Sequence, residues 1–120
     1  MRVSKLVLCL LAGATFFLVE VSDTYAGSRA MRASWYGKQF HGRLMANGKR
    51  FDMFDPKTVA HKSLPFGTKL KLTNPKNGRV IWVVVRDRGP YVKGRHIDLS
   101  YAAAKALGIL QSGVATLRVE

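Results

Sequence analysis

A chain of 120 residues with 20 Lys and Arg against 7 Asp and Glu, a formal charge of +13, is long enough for one domain and too short for two. Its single cysteine excludes an internal disulfide framework. A positive excess of this size attracts polyanions, or else serves only to keep the chain in solution.

The N-terminus decides which polyanions matter. Arg2 and Lys5 precede an apolar run from Leu6 to Val19, and a polar stretch then closes on Thr24-Tyr25-Ala26. A basic start, an apolar core of about 7–15 residues and a small residue at the cut make a secretory signal. The run falls short of the roughly 20 apolar residues of a spanning helix. It meets Glu20 and Asp23 rather than a basic flank. The expectation is a signal peptide over 1–26, cut after Ala26, with an uncleaved anchor as the alternative. Cys9 follows Leu6-Val7-Leu8 inside the run, without the small residues that precede a lipid-attachment cysteine, so a lipoprotein is not expected. The protein is then periplasmic or extracellular, with no stable membrane anchor. Arg2 and Lys5 cancel Glu20 and Asp23, so the whole excess of +13 belongs to the mature part. Outside the inner membrane its partners are anionic envelope polymers rather than nucleic acid.

Residues 27–31 read as a short leader and 32–120 as one domain. Arg32 to Tyr36 predicts a strand ending at Gly37. Lys69 to Thr73 alternates Lys-Leu-Lys-Leu-Thr, the period of a strand with one wet face. Asn74 to Gly78 is a turn, its Asn-Gly step favouring a hairpin. Arg79 to Arg86, rich in β-branched residues, predicts a central buried strand. A helix is capped by Asp98 or Ser100, runs through Tyr101 to Leu107 and stops at Gly108. Val114 to Val119 is the last strand. Many short strands with one or two short helices predict a mainly β, compact barrel rather than a doubly wound sheet.

Few residues are candidates for chemistry. Asp87 stands where the apolar strand breaks into Arg88-Gly89-Pro90, and strand-end loops commonly present functional side chains. Its neighbours Arg86 and Arg88 leave two readings. Either one of them ties Asp87 into a turn salt bridge, or an extended backbone turns both away from it. His96 and Asp98 share a face if they lie on a strand, or Asp98 simply caps the helix. His61, before Lys62-Ser63-Leu64-Pro65, is structural or part of a site. His41, His61 and His96 are scattered, with no zinc spacing, so no metal and no cofactor are expected. Trp35, Tyr36, Phe40, Phe51, Phe54 and Tyr91 flank glycine-rich stretches as core residues or as platforms for sugar rings.

Four segments then stand out together: Ala33-Ser34-Trp35-Tyr36-Gly37 with Phe40-His41-Gly42-Arg43 and Ala46-Asn47-Gly48; Val59 to Thr68; Val83 to Pro90; and Gly94 to Ser100 before the alanine-rich helix. In this order they resemble the rare lipoprotein A (RlpA-like) family. The resemblance implies a six-stranded double-psi β-barrel acting on peptidoglycan glycan strands as a monomer. It implies a lytic transglycosylase activity that cleaves between N-acetylmuramic acid and N-acetylglucosamine and leaves a 1,6-anhydro end. It makes Asp87 the catalytic acid/base with His61 beside it. Asp98, His96, Arg88, Tyr36, Trp35 and Asn47 then contact substrate. A non-catalytic, expansin-like wall-binding or wall-loosening module is the alternative. Where the family often has glutamate after Asn47-Gly48 this chain has Lys49, and Asp52 or Asp55 would have to serve instead. No further glycan-binding module follows the last strand, so septal targeting is not expected.

Overall fold

The computed structural model describes residues 3–10, 16–23 and 28–120. It divides into two units, one within Met1–Arg29 and one over Ala30–Val119. In the first, β1 (Val3–Leu10) and β2 (Phe16–Asp23) pair antiparallel, Val3 opposite Asp23 and Leu10 opposite Phe16. The expected cut after Ala26 lies outside the described residues.

The second unit is a closed barrel. Its strands are β3 (Arg29–Tyr36), β4 (Thr58–His61), β5 (Lys69–Thr73), β6 (Val80–Asp87), β7 (Ile97–Ser100) and β8 (Val114–Val119), hydrogen-bonded in the order β3-β7-β4-β6-β5-β8. The β3–β7 and β4–β6 pairs are parallel, whereas β4–β7, β5–β6 and β5–β8 are antiparallel. Closure leaves no open sheet edge.

Alternation along each strand sends one set of side chains inward. Ala33, Val59, Leu70, Leu72, Val83, Val85, Ile97, Leu99, Leu117 and Val119 fill the interior, with Ala103, Ala104 and Leu107 of the helix packed on it. Each fully buried Leu, Ile or Val contributes about 1.5–3 kcal/mol. The strand expected to be a central buried one is buried on one face only: β6 buries Val83 and Val85 but leaves Val80 and Trp82 exposed. Only one face of a barrel strand meets the interior, and Val80 and Trp82 lie on the other.

α1 (Tyr101–Leu107) is capped by Ser100, whose Oγ accepts from the Ala103 N–H at 3.1 Å, and ends at Gly108 with φ 75°. Asp98 is therefore not the cap. The Asn74 and Asn77 side-chain amides donate to the Leu107 carbonyl at 2.8 and 3.0 Å, so the β5–β6 turn also closes the helix.

Between β3 and β4 the chain folds over the outside of the barrel. Residues 43–51 form a small hairpin held by Met45 N–H to Lys49 O at 2.7 Å and Phe51 N–H to Arg43 O at 2.7 Å. Phe51 stacks on Tyr36 with ring centres 4.2 Å apart. With Met45 and Ala60 these two rings make a second, smaller apolar cluster.

Candidate active site

The site is a row of residues on the outer face of four adjacent strands. Ser34 of β3 is in register with Asp98 of β7, Asp98 with Ala60 of β4, and Ala60 with Asp87 of β6. Register partners point to the same side of a sheet. The neighbours Ala33, Ile97, Leu99, Val59 and Val85 point inward, so this row points out. Ala60 contributes only a methyl group between the strands that carry the two carboxylates. Two strand spacings put the Asp87 and Asp98 Cα atoms roughly 9–10 Å apart.

Asp87 reaches this face through a β-bulge. Thr58 and Val59 pair with Val84 and Val85, but Ala60 pairs with Asp87, so Arg86 has no partner on β4. Strict alternation would send Asp87 inward after Val83 and Val85. The extra residue reverses it, as bulges beside active sites commonly do.

The two arginines are engaged elsewhere. Arg86 binds Asp55 Oδ2 at 2.8 Å and Thr58 Oγ1 at 2.9 Å. The Arg88 guanidinium donates to the Leu64 and His61 carbonyls at 2.8 and 3.2 Å and lies over the Phe66 ring at 4.0 Å. Among the described residues neither arginine side chain pairs with Asp87, so the salt-bridged reading of Asp87 fails. The Asp87 carboxylate instead accepts from neutral groups. Oδ1 takes the Ala46 and Arg88 backbone N–H groups at 2.9 and 2.8 Å, and Oδ2 takes the Tyr36 hydroxyl at 3.2 Å. Burial, then the Asp87 charge, raises the Tyr36 pKa well above the ordinary phenol value, which keeps that hydroxyl a donor.

A cleft of about 450 Å³ opens over this row, lined by Ser34, Trp35, Tyr36, Asp87, Arg88 and Asp98, with Tyr91 and Arg95 towards its rim. Tyr91 is 78% exposed. Asp98 accepts from Ser34 Oγ at 2.8 Å. Burial raises its pKa; the Ser34 hydrogen bond and Arg95 oppose this, and Asp87 adds to it.

Three expected site residues lie elsewhere. His61 Nδ1 accepts the Ser63 and Leu64 N–H groups at 3.1 and 3.0 Å. It therefore shapes the turn whose carbonyls hold Arg88, and is a positioning residue rather than part of the cleft wall. Burial first, then Arg88, His96 and Lys62, lower its pKa and favour the neutral ring this turn requires. His96 does not share the outward face with Asp98 on β7, because the strand starts only at Ile97. Its Nδ1 takes the Arg32 N–H at 2.9 Å. Asn47 caps its own turn through Lys49 N–H at 3.0 Å and lines a different cleft. Trp35 borders the site but packs edge-on against Tyr101, with centroids 5.6 Å apart, so it is no open platform. Lys49, Asp52 and Asp55 also line the other cleft, and Asp55 is held by Arg86, so neither acid substitutes beside Asp87.

Sequence reasoning missed Ser34, Ala60 and the Ala46 amide. Ser34 was within reach, since period-2 alternation from Tyr36 puts both on one face. Ala60 and Ala46 carry no chemical signal of their own. Among the described residues no three His, Cys, Asp or Glu side chains gather as a metal cluster.

A family model described as lytic transglycolase matches residues 28–119. The chain belongs to this family. The barrel is accordingly of the double-psi type that the sequence resemblance implied. The protein named "Probable endolytic peptidoglycan transglycosylase RlpA" of Aquifex aeolicus is 60% identical over 82 residues, which cover 68% of this chain and 36% of that one. The endolytic peptidoglycan transglycosylase RlpA of Vibrio cholerae is 53% identical over 89 residues, 74% of this chain and 34% of that one. The chain thus spans about a third of the length of these curated relatives. Among solved structures, a Streptomyces papain inhibitor matches with TM-score 0.63 and 26% identity over 80% of this chain and 94% of its own. An apo Clavibacter michiganensis expansin matches with TM-score 0.60 and 26% identity, over 78% of this chain and 50% of its own.

Proposed function

We propose that this barrel is an endolytic peptidoglycan lytic transglycosylase that works outside the inner membrane. It cuts between N-acetylmuramic acid and N-acetylglucosamine and leaves a 1,6-anhydro end, as the sequence resemblance implies; the relatives' names support peptidoglycan transglycosylation. The observation that carries the reading is Asp87. It is a carboxylate turned out of the barrel by a bulge, held by amides and a phenol rather than by a cation, and facing an open cleft.

Protonated Asp87 gives its proton to the glycosidic oxygen as the C1–O bond breaks. The C6 hydroxyl oxygen of the same sugar bonds to C1, and its proton returns to Asp87. No water is consumed, so one carboxyl group serves as acid and then as base. Amides on Oδ1 leave Oδ2, beside the Tyr36 hydroxyl, as the oxygen that exchanges the proton. Asp98, Ser34 and Arg88 line the path of the sugar. Conventional hydrolysis would need a second carboxylate to activate water, and Asp98 is the group placed for that.

The test is incubation of the chain with purified sacculi and with peptide-free glycan strands, followed by mass spectrometry. Anhydromuramyl ends that disappear in Asp87→Asn are expected. Reducing ends without the anhydro ring would overturn the reading in favour of hydrolysis by the aspartate pair. Lys49, where the family often has glutamate, favours a second reading: an expansin-like wall-binding module. Binding to sacculi with no product of either kind would establish it.

A further inference from the structure

The outer face of β5 and β6 takes no part in this chemistry. Across the two strands Lys69 pairs with Val84, Lys71 with Trp82 and Thr73 with Val80. Trp82 is 61% exposed and Val80 46%. An indole left this open forgoes most of the stabilisation its burial would bring. Its flat face is instead available to the C–H face of a sugar ring, while the Lys69 ammonium on the same face suits a carboxylate on that ring or on a peptide attached to it.

This face continues through Val84 into a second cleft of about 430 Å³, lined also by Asn47, Lys49 and Arg50. Asp55 in its wall is already paired with Arg86. The 43–51 hairpin separates the two clefts: its Ala46 amide reaches Asp87, while Asn47 and Lys49 border the second cleft.

We propose that Trp82, with Lys69 on the same face and Lys49 and Arg50 beyond Val84, is a second glycan-binding site, which takes a carboxylate-bearing wall polysaccharide outside the Asp87 cleft. The ligand's identity rests on the wall-glycan reading; the site requires no catalytic step. Charge complementarity selects this occupant: Lys69, Lys49 and Arg50 border the face, and a wall strand carries carboxylates on its muramic acid rings or on the peptides attached to them.

The test is pelleting with purified sacculi in an Asp87→Asn background, so that no digestion intervenes. Trp82→Ala is expected to weaken binding about five- to tenfold, the scale of one aromatic contact, while Trp82→Tyr keeps most of it. Lys69→Gln is expected to flatten the salt dependence of binding. Phe54→Ala, at an exposed aromatic that lines neither cleft, serves as control. Binding by Trp82→Ala equal to its parent, or an equal loss in the Phe54 control, overturns the site. So does a concentration-dependent dimer that Trp82→Ala abolishes, which would make the face a contact between copies. Anhydro-product formation by the unmutated chain is scored separately, so failure of the catalytic reading leaves the pelleting result intact.

Discussion

The barrel interior and the small cluster beneath the cleft are both apolar, yet they constrain different things. The interior joins residues from all six strands and the helix, so losing one side chain weakens a large cooperative unit. The second cluster is Tyr36, Met45, Phe51 and Ala60 with Met53 against it, and it pins one hairpin to the outside of the barrel. That hairpin supplies the Ala46 amide to Asp87. Stability thus depends mostly on the first cluster and catalytic geometry on the second, so the two can be perturbed separately.

The largest stability effect is expected inside. Leu72 is fully buried, and Leu72→Ala should cost about 2–5 kcal/mol through lost burial and a cavity. Chemical denaturation measures this, and product formation per folded molecule should stay near the parent value. Ala60→Val reverses the pattern. Overpacking there costs about 1–3 kcal/mol, but the added methyl groups enter the slot between the Asp87 and Asp98 strands. Specific activity should then fall by more than tenfold while the protein remains folded. An activity loss no greater than that of Leu72→Ala would erase the distinction between the clusters.

Smaller effects come from the residues around the cleft. His61→Ala removes the acceptor for two backbone N–H groups and should cost about 1 kcal/mol, with His61→Asn restoring part of it. Because the folded state lowers the His61 pKa, the stability it contributes is present above the unfolded value of 6.5. It is lost as the pH falls through the lower folded value. Thermal melts of the parent and His61→Asn between pH 7 and 4 should therefore converge towards acid.

The smallest expected effect has the opposite sign. Burial raises the Asp98 pKa, so its contribution to stability is fully present below the unfolded value of 3.8 and is lost as pH rises through the folded value. Asp98→Asn should melt higher than the parent at pH 7, and the gap should close as the pH falls below 3.8. A variant that melts lower at pH 7 would mean the Ser34 and Arg95 interactions outweigh the cost of burial.

Much of this was legible in the chain. Alternation in Lys69–Thr73, the Asn-Gly turn and the Gly108 stop are local signals, and local sterics and hydrogen bonding decide them wherever the segment sits, whereas the choice between Asp98 and Ser100 as the cap came from the structure. The four family segments identified the barrel type and pointed to Asp87. The direction in which Asp87 points was not legible, because it depends on one unpaired residue, Arg86, in a strand register that β4 imposes from 26 residues or more upstream. Nor were the fates of His61, His96 and Asn47, since a histidine or asparagine that accepts a backbone N–H looks the same in sequence as one that meets a sugar. The exposure of Trp82 was hidden for a related reason. β-branched neighbours mark a strand, but only the closed barrel determines which of its faces is left without a neighbour.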